Sequence, residues 1–289
     1  MDDLTDTMNS RTLSGTPSLW PSLARGTLLS PFKRPRPGVT APRTRLLLPG
    51  VRVDLGRLAA YERICGFGTG ADELPLPYPH VLGFPAALRL MSRRTFPLPL
   101  LGLVHTSVGI TQRRPLTATG EYELAVYIEG LVPHRRGTEA VVVTEARVAG
   151  ELVWESYSTY LARHRTAPRS PRGQAATREP GPLPVLAEWQ FAGDVGRRYA
   201  AASGDRNPLH LHPLTARPFG FPRAIAHGMW TVARCLAEHG TPRAAAVRAE
   251  FRAPLPLPAA VSYGARSGRF EMRGPGGRLH LTGEVLPLL

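Results

Sequence analysis

The chain reads as one pattern written twice, and this duplication restricts the fold more than any other feature of the sequence. Each half opens with a short strand-like run and continues into a helix that ends Tyr-x-x-x-small-Gly. A longer amphipathic helix follows, and then three or four alternating strands. The first copy has Tyr61 to Gly66, a helix over about 81–93, and strands near 103–113, 119–131, 138–148 and 151–162. The second has Tyr199 to Gly204, a helix over about 228–239, and strands near 244–252, 260–272 and 277–286. Met229, Val232, Ala233 and Leu236 recur at the helix period. Val141-Val142-Val143 and Tyr157-Ser158-Thr159-Tyr160 supply β-favouring residues. A long helix followed by an antiparallel sheet, twice over, predicts an α+β fold in which each sheet wraps its own helix.

Composition marks the boundaries. Residues 164–184 hold Pro168, Pro171, Pro180, Pro182 and Pro184 with Gly173 and several arginines, which is linker composition between halves 45–163 and 185–289. Residues 1–44 are rich in Ser, Thr, Pro and Arg, with a basic patch from Lys33 to Arg45. Such an arm buries too little apolar surface to offset its ordering entropy, so disorder or loose packing is expected. The formal charge is +14, almost all of it arginine, with Lys33 the single lysine. The arginines are scattered and no nucleic-acid recognition motif accompanies them, so no nucleic-acid partner is expected. Cys65 and Cys235 fit no metal or redox spacing and read as small core residues of a reducing compartment. With neither a leader-like N-terminus nor an apolar run of about 18 residues, a cytoplasmic location without membrane partners is expected.

The chemistry concentrates in residues 199–210, Tyr-Ala-Ala-Ala-Ser-Gly-Asp-Arg-Asn-Pro-Leu-His. Asp205 and His210 lie five residues apart across a polar turn, with Asn207 and Pro208 between them. A carboxylate and a neutral imidazole held together can order a water, take its proton and return a proton elsewhere. Gly204 suits a left-handed helix cap and Asn207-Pro208 forces an extended or turned exit. Spacing alone is better matched by a turn whose backbone is satisfied by Asp205 and Asn207 beside a packed histidine.

The run Tyr199, Ser203, Gly204, Asp205, Asn207, Pro208, His210 resembles the hydratase motif of the MaoC-like, (R)-specific enoyl-thioester hydratases, and Ala226-His227-Gly228-Met229 resembles the segment that opens their central helix. His212 departs from the family pattern, which more often has a small or acidic residue there. The resemblance implies a tandem (double) hotdog, with the pair of hotdogs carried in one chain, as a monomer or a homodimer of such chains. It implies reversible hydration of a trans-2-enoyl thioester, carried by coenzyme A or acyl-carrier protein, with no metal or organic cofactor. Asp205 and His210 would hold the water and Asn207 would orient Asp205. The Gly228 N–H would serve the thioester oxygen, where an added Cβ would intrude on substrate at little cost in stability. Ser203, His227, Tyr199 and Phe67 are the candidate substrate contacts, His227 being foremost a helix-start residue. His212 alternates with His210, and the two could share a metal only if the backbone bent; no third ligand stands at metal spacing. A hotdog thioesterase and a non-catalytic acyl-binding subunit are the competing functions.

Laying the halves over each other sets Cys65 on Ser203, Gly66 on Gly204 and Phe67 on Asp205, so the carboxylate is replaced by a phenyl ring. Pairing His80 with His227 leaves the first half nine residues short, about the length of the loop carrying Asn207 and His210. The first half is therefore expected to bind acyl groups without catalysing, with Phe67 and Phe84 able to limit the space.

Overall fold

In the computed structural model of the chain, residues 8–33, 39–166 and 181–288 are described. Among these residues are eleven strands and six α-helices. Strand β1 is Asn9–Thr12, helix α1 Leu19–Leu29, β2 Thr44–Arg52, α2 Leu55–Cys65 and α3 Tyr78–Met91. Then come β3 Val104–Gln112, β4 Glu121–His134, β5 Gly137–Val148, β6 Glu151–Arg163 and β7 Val185–Phe191. Helices α4 Val195–Ser203, α5 Pro213–Ala216 and α6 Gly228–His239 precede β8 Ala245–Phe251, β9 Ala259–Arg266, β10 Arg269–Arg273 and β11 Leu279–Pro287.

The strands join in one sheet of order β1-β2-β4-β5-β6-β3-β8-β11-β10-β9-β7. Its two halves, β2-β4-β5-β6-β3 and β8-β11-β10-β9-β7, repeat one strand order in opposite directions, as a pseudo-twofold axis requires. The axis passes through the antiparallel β3–β8 pair, with Val108 opposite Ala249 and Ile110 opposite Val247. The expected α+β tandem arrangement is thus present, with both halves fused through one ladder. The strand expected over 260–272 is two strands. Ser267 and Gly268 both take positive φ (50° and 79°), the conformation of a tight two-residue hairpin turn, and reverse the chain between β9 and β10.

Each half folds its sheet around a helix. Helix α3 is buried along most of its surface, including Val81, Ala86, Leu88, Leu90 and Met91. Helix α6 buries Met229, Trp230, Val232, Ala233 and Leu236. The shorter helices α2 and α4 pack together near the axis with Tyr61 and Tyr199 in ring contact at 6.0 Å. Both end in left-handed glycines, Gly66 and Gly204, whose N–H groups close the last turns on Glu62 and Ala200. Trp230 of α6 donates its indole N–H to the Ile64 carbonyl of α2 at 2.9 Å, tying the second half to the first.

The N-terminal arm differs from expectation between residues 8 and 33. Strand β1 pairs parallel with β2, and α1 lies on α3. Composition misleads here because the helix seats itself through small residues. Ser22, Gly26 and Ser30 face inward, and Ser30 Oγ donates to the Gly26 carbonyl while accepting the Leu101 N–H. Lys33 Nζ donates to the carbonyls of Met91 and Arg93 at the end of α3, at 3.2 and 2.9 Å, where burial holds its pKa at about 8. Most of the expected linker, residues 167–180, lies outside the described residues. Among the described residues no helix is long and apolar enough to cross a membrane.

Trp230→Phe removes the donor for Ile64 and leaves its carbonyl unpaired near the axis. Urea unfolding should report a loss of about 1–3 kcal/mol, and an unchanged midpoint would deny the tie between the halves.

Candidate active site

The segment after α4 folds through local hydrogen bonds. Ser203 Oγ donates to the Tyr199 carbonyl at 2.9 Å and accepts the Asp205 N–H at 3.2 Å. Asp205 Oδ1 accepts the Asn207 N–H at 3.1 Å, and Asn207 Oδ1 accepts the Leu209 N–H at 3.3 Å, capping a 3₁₀ turn over Pro208–His210. The loop is pinned from below by Gly196, where a Cβ would lie 2.0 Å from the His210 carbonyl oxygen. That requirement was hidden in the sequence, because it arises from the close passage of α4 under the loop.

These bonds fix the state of His210. Its Nδ1 lies 2.7 Å from the Ile225 carbonyl, which can only accept, so Nδ1 carries the proton and Nε2 is left with its lone pair. His227 uses its Nε2–H toward the Asp205 carbonyl at 2.9 Å, and its ring stacks on His210 with centroids 3.7 Å apart. The buried His227 Nδ1 has no hydrogen-bond partner. Burial raises the Asp205 pKa against the pull of His210 and the Asn207 N–H, and lowers that of His210 against the pull of Asp205. Burial also drives the His227 pKa well down, with His210 adding to the effect. Desolvation thus brings carboxylate and imidazole toward each other in proton affinity, as a pair exchanging protons with substrate requires.

Asp205, His210 and His227 offer ligand atoms within 4.8 Å of one another, so the fold supplies a third polar group that spacing did not reveal. His212 is no part of it. Its ring accepts the Leu214 N–H and caps α5, facing solvent. With one nitrogen of each imidazole engaged by a backbone carbonyl, a metal here could use only His210 Nε2, His227 Nδ1 and the carboxylate.

The group opens into a cavity of about 590 Å³ shared by both halves. Asp205, Asn207, His210, His227, Gly228, Tyr199 and Ser203 all lie on its wall. Phe67 does not; beyond Gly66 it leaves the axis and stacks on Tyr61 at 6.3 Å, so it is no substrate contact. Phe84 does line the cavity, with Leu23, Leu88, Met91 and Leu100. Ser203 is on the wall, but its hydroxyl hydrogen is committed to Tyr199. Sequence reading missed the first half's polar contribution of His80, His105 and Tyr160. Tyr160 stacks on His105 at 4.5 Å, and His105 meets Phe251 at 4.7 Å. Burial lowers the His80 and His105 pKa values to about 4 and about 3, His105 being lowered further by His80.

Helix α6 starts at Gly228 with no side chain capping it. A Cβ at Gly228 would sit 2.9–3.2 Å from the Phe251 ring, so the expectation of a nearly cost-free Gly228→Ala variant fails: that ring must move first. The overlay of the halves also shifts. Counted from helix starts, Pro77 is the counterpart of His227, and the connections 66–77 and 204–227 differ by twelve residues, not nine.

A MaoC like domain model matches residues 183–261, which span this loop and α6. A 3-hydroxyacyl-thioester dehydratase, dehydratase X of Mycobacterium tuberculosis (strain ATCC 25618 / H37Rv), is 35% identical over 227 residues, covering 78% of this chain and 79% of that protein. The chain belongs to the MaoC-like dehydratases. The crystal structure of HtdX of Mycobacterium tuberculosis superposes with a TM-score of 0.74 at 32% identity, over 84% of this chain and 100% of that one. A further Mycobacterium tuberculosis protein, described as having a double hotdog fold, shares the fold at 13% identity and a TM-score of 0.51, over 82% of this chain and 92% of that one. This MaoC-like dehydratase is therefore a double hotdog with one Asp–His loop, in its second half.

The buried imidazoles make this MaoC-like dehydratase acid-sensitive. His80, His105, His210 and His227 all have folded pKa values below the unfolded value near 6.5, so the unfolded chain binds more protons. Stability should be full above about pH 6.5 and fall steadily toward pH 4. Melting temperatures across that range, compared with His80→Phe, check this: the variant's acid slope should be shallower.

Proposed function

We propose that the chain catalyses the reversible hydration of a trans-2-enoyl thioester to the (R)-3-hydroxyacyl thioester. The observation that carries this is the convergence of the Asp205 carboxylate and the unprotonated His210 Nε2 in one cavity, beside the uncapped start of α6. A water held between Asp205 and His210 gives its oxygen to C3 and its proton to the pair. The C2–C3 π electrons move toward the thioester oxygen as an enolate, which collapses by taking a proton from the pair at C2, leaving both groups as they began. The Gly228 N–H, helped by the dipole of α6, stabilises the enolate oxygen. Asn207 holds Asp205 through its N–H, and His227 braces the loop through the Asp205 carbonyl. The relative's description as a 3-hydroxyacyl-thioester dehydratase agrees with this reading.

The exposed Arg135, Arg136 and Arg163 reach the cavity wall from the β4–β5 turn and the end of β6, which puts cationic side chains at its mouth. They suit the phosphates of a coenzyme A or acyl-carrier-protein arm. The acyl group would then extend past His105 and Tyr160 toward Phe84, Leu88 and Met91. We place the enzyme in the cytoplasm, a reading supported by its two buried free cysteines.

Crotonyl-CoA hydration tests the reaction. Asp205→Asn or His210→Ala should each lower kcat by about 10²- to 10⁴-fold with melting temperature preserved. The double variant should be scarcely slower than either, because both groups act on one water. Near-native turnover in a folded single variant would sink the mechanism. Dialysis against EDTA should leave the rate unchanged, and a rate restored only by added zinc would point instead to metal at Asp205, His210 and His227. Reversing charge with Arg135→Glu and Arg136→Glu should raise KM for crotonyl-CoA severalfold at low salt with kcat little changed. An unaltered KM would move the phosphates elsewhere.

A further inference from the structure

Helix α1 and the 3₁₀ turn Ser30–Phe32 that continues it bury Ser22, Gly26 and Ser30 and pack Leu19 and Leu23 partly against the core, whereas Trp20, Ala24, Leu28 and Phe32 all face solvent. Trp20, Leu28 and Phe32 are 68%, 71% and 82% exposed, far beyond what burial of a surface helix would leave. Large apolar side chains aligned on an outer helix face mark a contact surface.

Cations surround this stripe. Arg25, Leu28 and Leu29 of α1 enclose a groove with Arg93 and Arg94 beyond the end of α3, and Arg11 and Arg89 stand close enough to act on Arg93. Burial, followed by Arg11, Arg89 and Arg25, depresses the Arg93 pKa. None of these five guanidinium groups forms an ion pair with a carboxylate among the described residues, whereas ten arginines elsewhere do. Among the described residues, positive charge without a carboxylate partner gathers around exposed Trp20, Leu28 and Phe32.

We propose that the outer face of α1 binds the surface of a bilayer bearing anionic phospholipid headgroups. Trp20, Leu28 and Phe32 would enter the headgroup–acyl boundary while Arg25, Arg93 and Arg94 meet the phosphates, the division of labour of an interfacial helix. A second copy of the chain fits this face poorly, because a twofold contact would set each arginine cluster against its twin. Among the described residues no helix is long and apolar enough to cross a membrane, and the proposed association is peripheral. The opposite side of α1 brings Leu23 to the catalytic cavity wall, so one helix separates the bilayer from that cavity. The proposal does not depend on which reaction the cavity performs.

Flotation of the full chain with vesicles tests it. At low salt the protein should float with phosphatidylglycerol–phosphatidylcholine vesicles and stay behind with phosphatidylcholine alone. Tryptophan emission should shift to the blue on binding, and Trp20→Phe should abolish the shift while retaining binding. Combining Trp20→Ser, Leu28→Ser and Phe32→Ser should weaken partition about tenfold or more with melting temperature unchanged. Should that variant misfold, Arg25→Glu with Arg94→Glu, both on exposed positions, should weaken it likewise. Failure of the native chain to float, or flotation undiminished in the folded variants, would overturn the proposal. So would a dimer in solution that the serine variant dissolves.

Discussion

The antiparallel pairing of β3 with β8 is the interaction on which the rest of the molecule depends. A curved sheet that wraps one helix leaves an open edge, and an open edge invites pairing with another chain. Here each half closes the other's edge with backbone hydrogen bonds from Ser107 to Gln112 against Glu250 to Ala245. The ladder fixes α3 and α6 across a shared axis, and the space left between them is the cavity. Phe251 ends the β8 strand, so the ladder also positions the ring that contacts His105 on one side and crowds Gly228 on the other.

That geometry buries the candidate Asp–His pair. The Asp205–His210 pair is held by backbone groups and not by other charges: the Asn207 N–H on the carboxylate, the Ile225 carbonyl on the imidazole. Burial is the largest cause of the opposing pKa shifts, and the mutual attraction of the two groups and these backbone bonds only partly offset it. A salt bridge to arginine at this place would have held Asp205 ionised and weakened it as a proton acceptor. In a chain of charge +14, the absence of any described arginine ion pair with Asp205 is itself informative.

Much of this was legible in the sequence, and the reasons differ by element. The helix at 228–239 and the long strands of the first half could be read because period and residue type agreed over many positions. Asp205, Asn207 and His210 could be read because their spacing is local: the turn that joins them is made by the residues themselves. The role of His227 was only half visible, since its bond to the Asp205 carbonyl spans a 22-residue separation. His80 was read only as a counterpart of His227, and His105 and Tyr160 carried no site signal, because β3, β6 and α3 bring the three together only through long-range pairing. Phe67 was misplaced because an overlay by sequence presumes that matching residues face matching directions, and a short connection after Gly66 turns it away. Helix α1 was missed for a further reason: much of its apolar surface points outward, and the face that anchors it mixes Leu19 and Leu23 with Ser22 and Gly26.

The unequal connections explain why the two halves can keep one fold while only one carries the Asp–His pair. A connection of twelve residues, 66–77, suffices to link α2 to α3, and Trp154 secures it by donating its indole N–H to the Leu76 carbonyl at 2.8 Å. The connection 204–227 has room for two 3₁₀ turns and α5, and it is this surplus that reaches back over α4 to present His210. In the first half the short connection leaves the start of α3 unobstructed, and His80, in its first turn, turns toward the cavity and Ser156 instead. The connection 66–77 is too short to hold a counterpart of the loop that carries Asp205 and His210, and on that side His80 lines the cavity wall instead.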